Sequence, residues 1–143
     1  LPQKKECCGP AALAMVFHYY KVRISPEELA QEIYLKKLSG TLNLDMLINA
    51  RKHGFAAQAY CGNLRLLKEY ISRVVPVIIL IQSQPGSEQY HYLVIFGYDD
   101  EQKIFFFHSG RTEAATIGYQ TFSRAWQPAH NWMLTVEPKE DWP

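Results

Sequence analysis

The chain is short of cysteine, of net charge and of long apolar runs, and each shortage removes a class of protein. Three cysteines in 143 residues (Cys7, Cys8 and Cys61) are no disulfide framework. Cys7 and Cys8 are adjacent, where bridge geometry is strained; a Cys7–Cys61 bridge stays open. No Cys-x-x-Cys or His-x-x-x-His spacing occurs, so no metal site and no cofactor are expected. A formal net charge of +1 gives no reason to expect a nucleic acid or an anionic membrane as partner. The longest apolar run, residues 74–81, is interrupted by Pro76 and falls far short of a bilayer span. No signal peptide, internal repeat or low-complexity segment is visible.

What is present suffices for one domain. Hydrophobic residues make up 48% of the chain and charged residues 20%, the balance of a soluble protein with a real core. The length suits a single domain over residues 1–143. The chain opens on Leu1 rather than Met, so that domain is expected to have been excised from a longer protein.

The first half carries helix signals. Residues 10–20 are apolar almost all round, which predicts a central helix. Ser25-Pro26-Glu27-Glu28 has the form of a capping box, with Ser at N-cap, Pro at N1 and Glu at N3. A third helix, capped by Thr41 or Asn43, should run through Leu44, Leu47, Ile48 and Arg51 and close at Gly54. Asn63 should cap a fourth helix over residues 64–73. From Phe55 onward strands enter: residues 55–60, 76–81, 91–98, 103–108, 114–118 and 132–136 read as strands, with a short helix at residues 119–126. Helices first and a meander of strands afterwards predict an α+β fold, an antiparallel sheet packed on the first helix.

The chemistry concentrates at the start. Cys8-Gly9-Pro10 followed by Ala11-Ala12-Leu13-Ala14-Met15-Val16 places a thiol at the first turn of that helix. The positive dipole end favours thiolate, the nucleophilic form. Pro10 fits the first turn, where its missing N–H has no partner to lose. Gln3 can aim its amide at the same point and donate to an oxyanion. The alternative is a helix start with a buried, inert cysteine. A thiolate nucleophile needs a histidine base. Among five histidines, His18 lies ten residues along the same helix, about 15 Å away. His53 follows a helix C-terminus and His130 lies in a loop. His91 opens a strongly apolar strand after a Pro/Gly loop and is the candidate base.

These residues carry a resemblance. Gln3, the run from Cys8 to Val16, Tyr19-Tyr20, the block Val75-Pro76-Val77-Ile78 and the block from His91 to Asp100 resemble, in order and spacing, the C39-type papain-like cysteine peptidases. The similarity runs from Gln3 to about Trp132. The resemblance implies the papain-like fold, with Cys8 as nucleophile, His91 as general base and then acid, and Gln3 as oxyanion donor. It implies a peptide or protein substrate, cut after small residues by analogy with leader-processing relatives. Residues 33–35, 39–42 and 109–112 resemble a stand-alone bacterial branch often followed by tetratricopeptide repeats. A flanking repeat domain and a cell-envelope, periplasmic or secreted location are expectations from that branch, with the cytoplasm as the alternative.

One departure stands out. The family usually carries Asp-Pro on the strand after the histidine strand, and the Asp orients the base. Here the place reads His108-Ser109-Gly110, with Ser109 where Asp would be. Ser109, His108 or a main-chain carbonyl is left to orient His91, since one residue of register slip swaps the faces. Asn131 is a more distant candidate. Arg111 fixes its loop or binds a substrate carboxylate. Phe105-Phe106-Phe107 reads as core. Trp126 and Trp132 read as packing residues, with Trp126 the candidate to line a substrate groove. Against the peptidase stand two alternatives: a degenerate peptide-binding module, and another acyl transfer, deamidation or transpeptidation, at the same dyad.

Overall fold

The computed structural model describes residues 8–36, 42–109 and 114–139. Three helices come first: α1 (Cys8–Tyr19), α2 (Pro26–Lys36) and α3 (Leu42–Lys52). Strand β1 (Phe55–Cys61), helix α4 (Leu64–Ser72), strands β2 (Val77–Gln82), β3 (Tyr90–Asp99), β4 (Ile104–His108) and β5 (Ala115–Gly118), helix α5 (Tyr119–Trp126) and strand β6 (Trp132–Pro138) follow. Local signals explain three of the helix boundaries. Ser25 Oγ accepts from the Glu28 amide at 3.0 Å, and Glu28 Oε1 accepts from the Ser25 amide at 3.3 Å, which is the expected capping box. Asn63 Oδ1 accepts from the Leu66 amide at 2.8 Å and caps α4. Gly54, after α3, takes φ +91°, the conformation that closes a helix.

All recorded strand pairs are antiparallel, in the order β1-β6-β2-β3-β4-β5. Strands β2 to β5 form the expected meander. The last strand departs from it: β6 returns across the sheet and lies between β1 and β2.

The sheet has two buried faces. On one, Leu13, Val16 and Phe17 of α1 join Leu29, Met46 and Ala50 of α2 and α3 over Phe55, Ile78, Tyr92, Val94 and Leu134. On the other, Leu67 and Ile71 of α4 and Phe122 and Trp126 of α5 cover Ile79, Leu93, Ile95, Phe105 and Met133. Strand β3 therefore sends Tyr92 and Val94 to the α1 face and Leu93 and Ile95 to the α5 face, the two-residue period of a strand buried on both sides. No helix among the described residues is long and apolar enough to cross a membrane.

One local feature ties elements of the second face together, and another meets α1 on the first. Asp100, in the β3–β4 turn, accepts from Tyr119 Oη at 2.6 Å and from Lys68 Nζ at 3.0 Å, joining α4, the turn and α5. These two bonds hold its carboxyl below the usual range, and burial followed by the Asp100 bond raises the Tyr119 hydroxyl. Beyond α4, Val74 takes φ +63° while 69% exposed, its amide bonded to Ile71 O at 2.9 Å and its carbonyl facing Tyr19 Oη at 3.4 Å.

The Asp100 contacts give a signed pH dependence. A carboxyl depressed by folding contributes stability above its unfolded pKa, about 3.9, and loses it as pH falls through the lower folded value. Urea denaturation between pH 3 and 7 should therefore show a shallower acid-side loss for Asp100→Asn than for wild type. Equal slopes would mean that the turn contacts do not couple to folding.

Candidate active site

Cys8 is the first residue of α1, and that first turn holds no acidic side chain to offset the helix dipole. The next residue, Gly9, is buried and sets where the helix end lies. A Cβ on Gly9 would fall 2.8 Å from Met46 Sδ, 3.2 Å from Leu42 Cδ2 and 3.4 Å from the Tyr92 ring. The helix N-terminus thus rests directly on Tyr92. Tyr92 is itself fixed: its hydroxyl donates to Asn43 Oδ1, and its ring meets Trp132 edge-on with centroids 5.8 Å apart. Further along, Met15, Val16, His18 and Tyr19 line an apolar cavity of about 460 Å³ with Val74, Val94 and Phe96. Helix α1 consequently runs parallel to β3, its N-terminus at the strand's first residues.

His91 is the residue before Tyr92. It is exposed, pairs with Ile81 of β2, and by alternation shares the face of Leu93 and Ile95. Helix α1, which begins at Cys8, covers one face of the sheet, and His91 is carried at the strand end on the other.

The orienting group depends on the β3–β4 register. From the turn inward the pairs are Asp99↔Ile104, Tyr98↔Phe105 and Gly97↔Phe106; they then shift to Ile95↔Phe107 and Val94↔His108. Phe96 is the extra residue of a bulge. The bulge puts His108 opposite Val94 on the α1 face, where it stacks on Phe96 with centroids 4.5 Å apart. The expectation that His108 could orient His91 is thereby corrected, because the two lie on opposite faces. Ser109 follows the last paired residue, and carrying the alternation of Phe105 and Phe107 one residue past the strand would put it on the face of His91. Diagonal neighbours of this kind are about 7–8 Å apart, within reach of a side chain longer than serine.

The other candidates separate cleanly. Gln3, Cys7 and Arg111 lie outside the described residues. Cys61 is an exposed free thiol. Trp126 is 1% exposed in the core, its indole N–H donating to Trp132 O at 2.9 Å, so it packs rather than lining a groove. Asn131 lies beyond β2 from His91, its amide donating to Gly62 O at 3.0 Å. His53 pairs with Glu32 at 2.8 Å, and His130 closes a short 3-10 turn at φ +58°. Sequence reasoning missed Tyr92, the residue that brings the helix and strand together; its place between His91 and a buried strand was the available signal.

Comparison with known proteins gives the family and the fold. The model of the Peptidase_C39 like family matches residues 1–134. The peptidase domain of Streptococcus ComA, a bifunctional ABC transporter involved in quorum sensing, superposes with a TM-score of 0.72 at 22% identity, covering 97% of each chain. A double glycine motif protease from an AMS/PCAT transporter, solved in complex with the leader peptide, gives 0.71 at 24% identity, covering 97% of this chain and 89% of that one. A Bacillus anthracis protein assigned as a C39-like peptidase gives 0.77 at 15% identity over 97% and 92%. No curated protein matches. These likenesses establish the fold.

Two substitutions test the geometry. Gly9→Ala should destabilise the protein by about 1–3 kcal/mol in urea denaturation, since the methyl must displace buried Met46. It should also slow Cys8 alkylation relative to Cys61; an unchanged ratio would show that the Gly9 seat does not position the thiol. Ser109→Asp should lower the apparent pKa of Cys8 alkylation by about one unit, through a negative charge beside the imidazolium. No change would place residue 109 out of reach of His91.

Proposed function

The chain belongs to the Peptidase_C39 like family, and from that premise we propose that it is a cysteine peptidase acting through Cys8 and His91. The observation that carries the reading is the seating of the α1 N-terminus on Tyr92, the residue next to His91.

In this mechanism the Cys8 thiolate, favoured by the dipole of α1, attacks the carbonyl carbon of the scissile peptide. The negative charge that develops on the carbonyl oxygen is stabilised by helix-terminal N–H groups and the Gln3 amide. The His91 imidazolium gives its proton to the leaving nitrogen as the C–N bond breaks, which leaves a Cys8 thioester. His91, now neutral, takes a proton from water, and the hydroxide attacks the thioester and releases the acid and the thiolate. Ser109 stands where a carboxylate would support the imidazolium. A neutral hydroxyl supports that charge less, so the ion pair is less favoured than in relatives with Asp. Substrates are peptides with small residues before the cut, a reading supported by the double glycine motif and leader peptide named for one structural relative.

Ser109 in place of Asp is also what favours a second reading, a peptide-binding module without turnover.

The test is the pH dependence of Cys8 alkylation, read by peptide mapping, together with cleavage of peptides carrying a central Gly-Gly. Cys8 should react selectively, with an apparent pKa well below the free-thiol value of about 8.5. His91→Ala should abolish that selectivity and lower cleavage by at least about a hundredfold. Ordinary thiol reactivity with peptide binding but no cleavage would overturn the peptidase reading in favour of the binding module. A one-dalton gain on an uncut protein would instead mean deamidation.

A further inference from the structure

We propose that the cavity between the β2–β3 loop and α5 is a subsite for an acidic side chain of the peptide substrate, on the leaving-group side of the cut, with Arg124 as its recognition residue. The proposal rests on the assignment of Cys8 and His91 given above.

The cavity is about 350 Å³. Ser83, Gln84 and Gly86 line it from the loop, and Thr121, Arg124 and Ala125 from α5. The three helix residues follow the i, i+3, i+4 spacing of one helical face, while Phe122 and Trp126 on the same helix are buried. One observation points to a ligand. Arg124 is the sole charged residue of the lining and has no acidic partner among the described residues. A cavity that combines one free guanidinium with neutral amide and hydroxyl groups suits a carboxylate.

The loop wall is braced before any ligand arrives. The Ser83 amide donates to Gln89 O at 2.8 Å, Gln82 Nε2 to Ser87 O at 2.9 Å, and the Gln89 amide to Ser87 Oγ at 2.9 Å. Ordering the site on binding therefore costs little conformational entropy.

Position supplies the side of the substrate. Ile81 pairs with His91, so the neighbouring Gln82, which also borders the cavity, has its Cα about 6 Å from that of His91 at ordinary strand spacings. Helix α5 covers the same face on which His91 stands. The imidazolium protonates the leaving nitrogen, so the peptide beyond the cut departs along His91's side of the sheet, away from α1. That path runs toward Arg124.

Binding is measured on the Cys8→Ala protein, so that turnover does not enter. The probes are acetylated, amidated dodecapeptides with a central Gly-Gly and Glu at the second or third position after it, each paired with its Gln counterpart. The Glu peptides should bind about fivefold tighter, a fold-change in keeping with an exposed ion pair. The preference should vanish in Arg124→Gln and persist in Arg124→Lys. Equal binding of Glu and Gln peptides, a preference that survives Arg124→Gln, a preference only for Glu before the Gly-Gly, or no binding of any probe would each overturn the subsite. Failure of the Cys8–His91 assignment registers separately, as ordinary Cys8 alkylation and absence of cleavage in the protein that retains Cys8.

Discussion

The contact between Gly9 and Tyr92 is the constraint on which the candidate site depends. A glycine at this point lets the helix end approach an aromatic ring, a methionine and a leucine that leave no room for a side chain. The contact brings the positive end of α1 to the first residues of β3 and makes the place of Cys8 a matter of backbone packing. Tyr92 answers from the strand, held by Asn43 and Trp132 on either side. Their sequence neighbours, Cys8 before Gly9 and His91 before Tyr92, inherit their places from this pair.

Strand β3 is the wall shared by two hydrophobic clusters, and the site straddles its end. The first cluster fixes α1; the second, through Leu93, Ile95 and the helices α4 and α5, fixes the face on which His91 stands. The bulge at Phe96 makes these roles compatible. Without it, the pairing seen near the turn would continue and the strand would present His91 to the α1 face. One extra residue thereby decides which of His108 and Ser109 lies on the histidine's side.

Local signals were legible in the sequence because they act over a few residues. The capping box at Ser25 and Glu28, the Asn63 cap, the Gly54 closure and the strand that opens at His91 all come from near neighbours along the chain. The insertion of β6 between β1 and β2 was not legible, since it is settled by long-range packing of Met133, Leu134 and Val136 on both faces. The bulge was hidden for a related reason: Phe96 has the same apolar character as its neighbours, and nothing in the alternation marks it as the unpaired residue. Trp126 misled in the opposite way. An aromatic residue near a helix end is compatible with a groove wall, and only its burial against Phe122 and its bond to Trp132 O reveal it as core. Arg124 drew no attention as one charge on a short helix, because the cavity it borders is built by a loop forty residues away.

Val74 shows that the chain does not sit at its most relaxed backbone. A β-branched residue at φ +63° carries strain of about 1–2 kcal/mol, in a position after a helix where glycine is the comfortable choice. Its side chain stands largely in water, so burial does not compensate. What the residue adds is apolar surface on the rim of the cavity along α1, beside Tyr19 and Phe96. Glycine here would relax the turn and erase part of that rim, so the native sequence trades stability for surface at this one corner of the sheet.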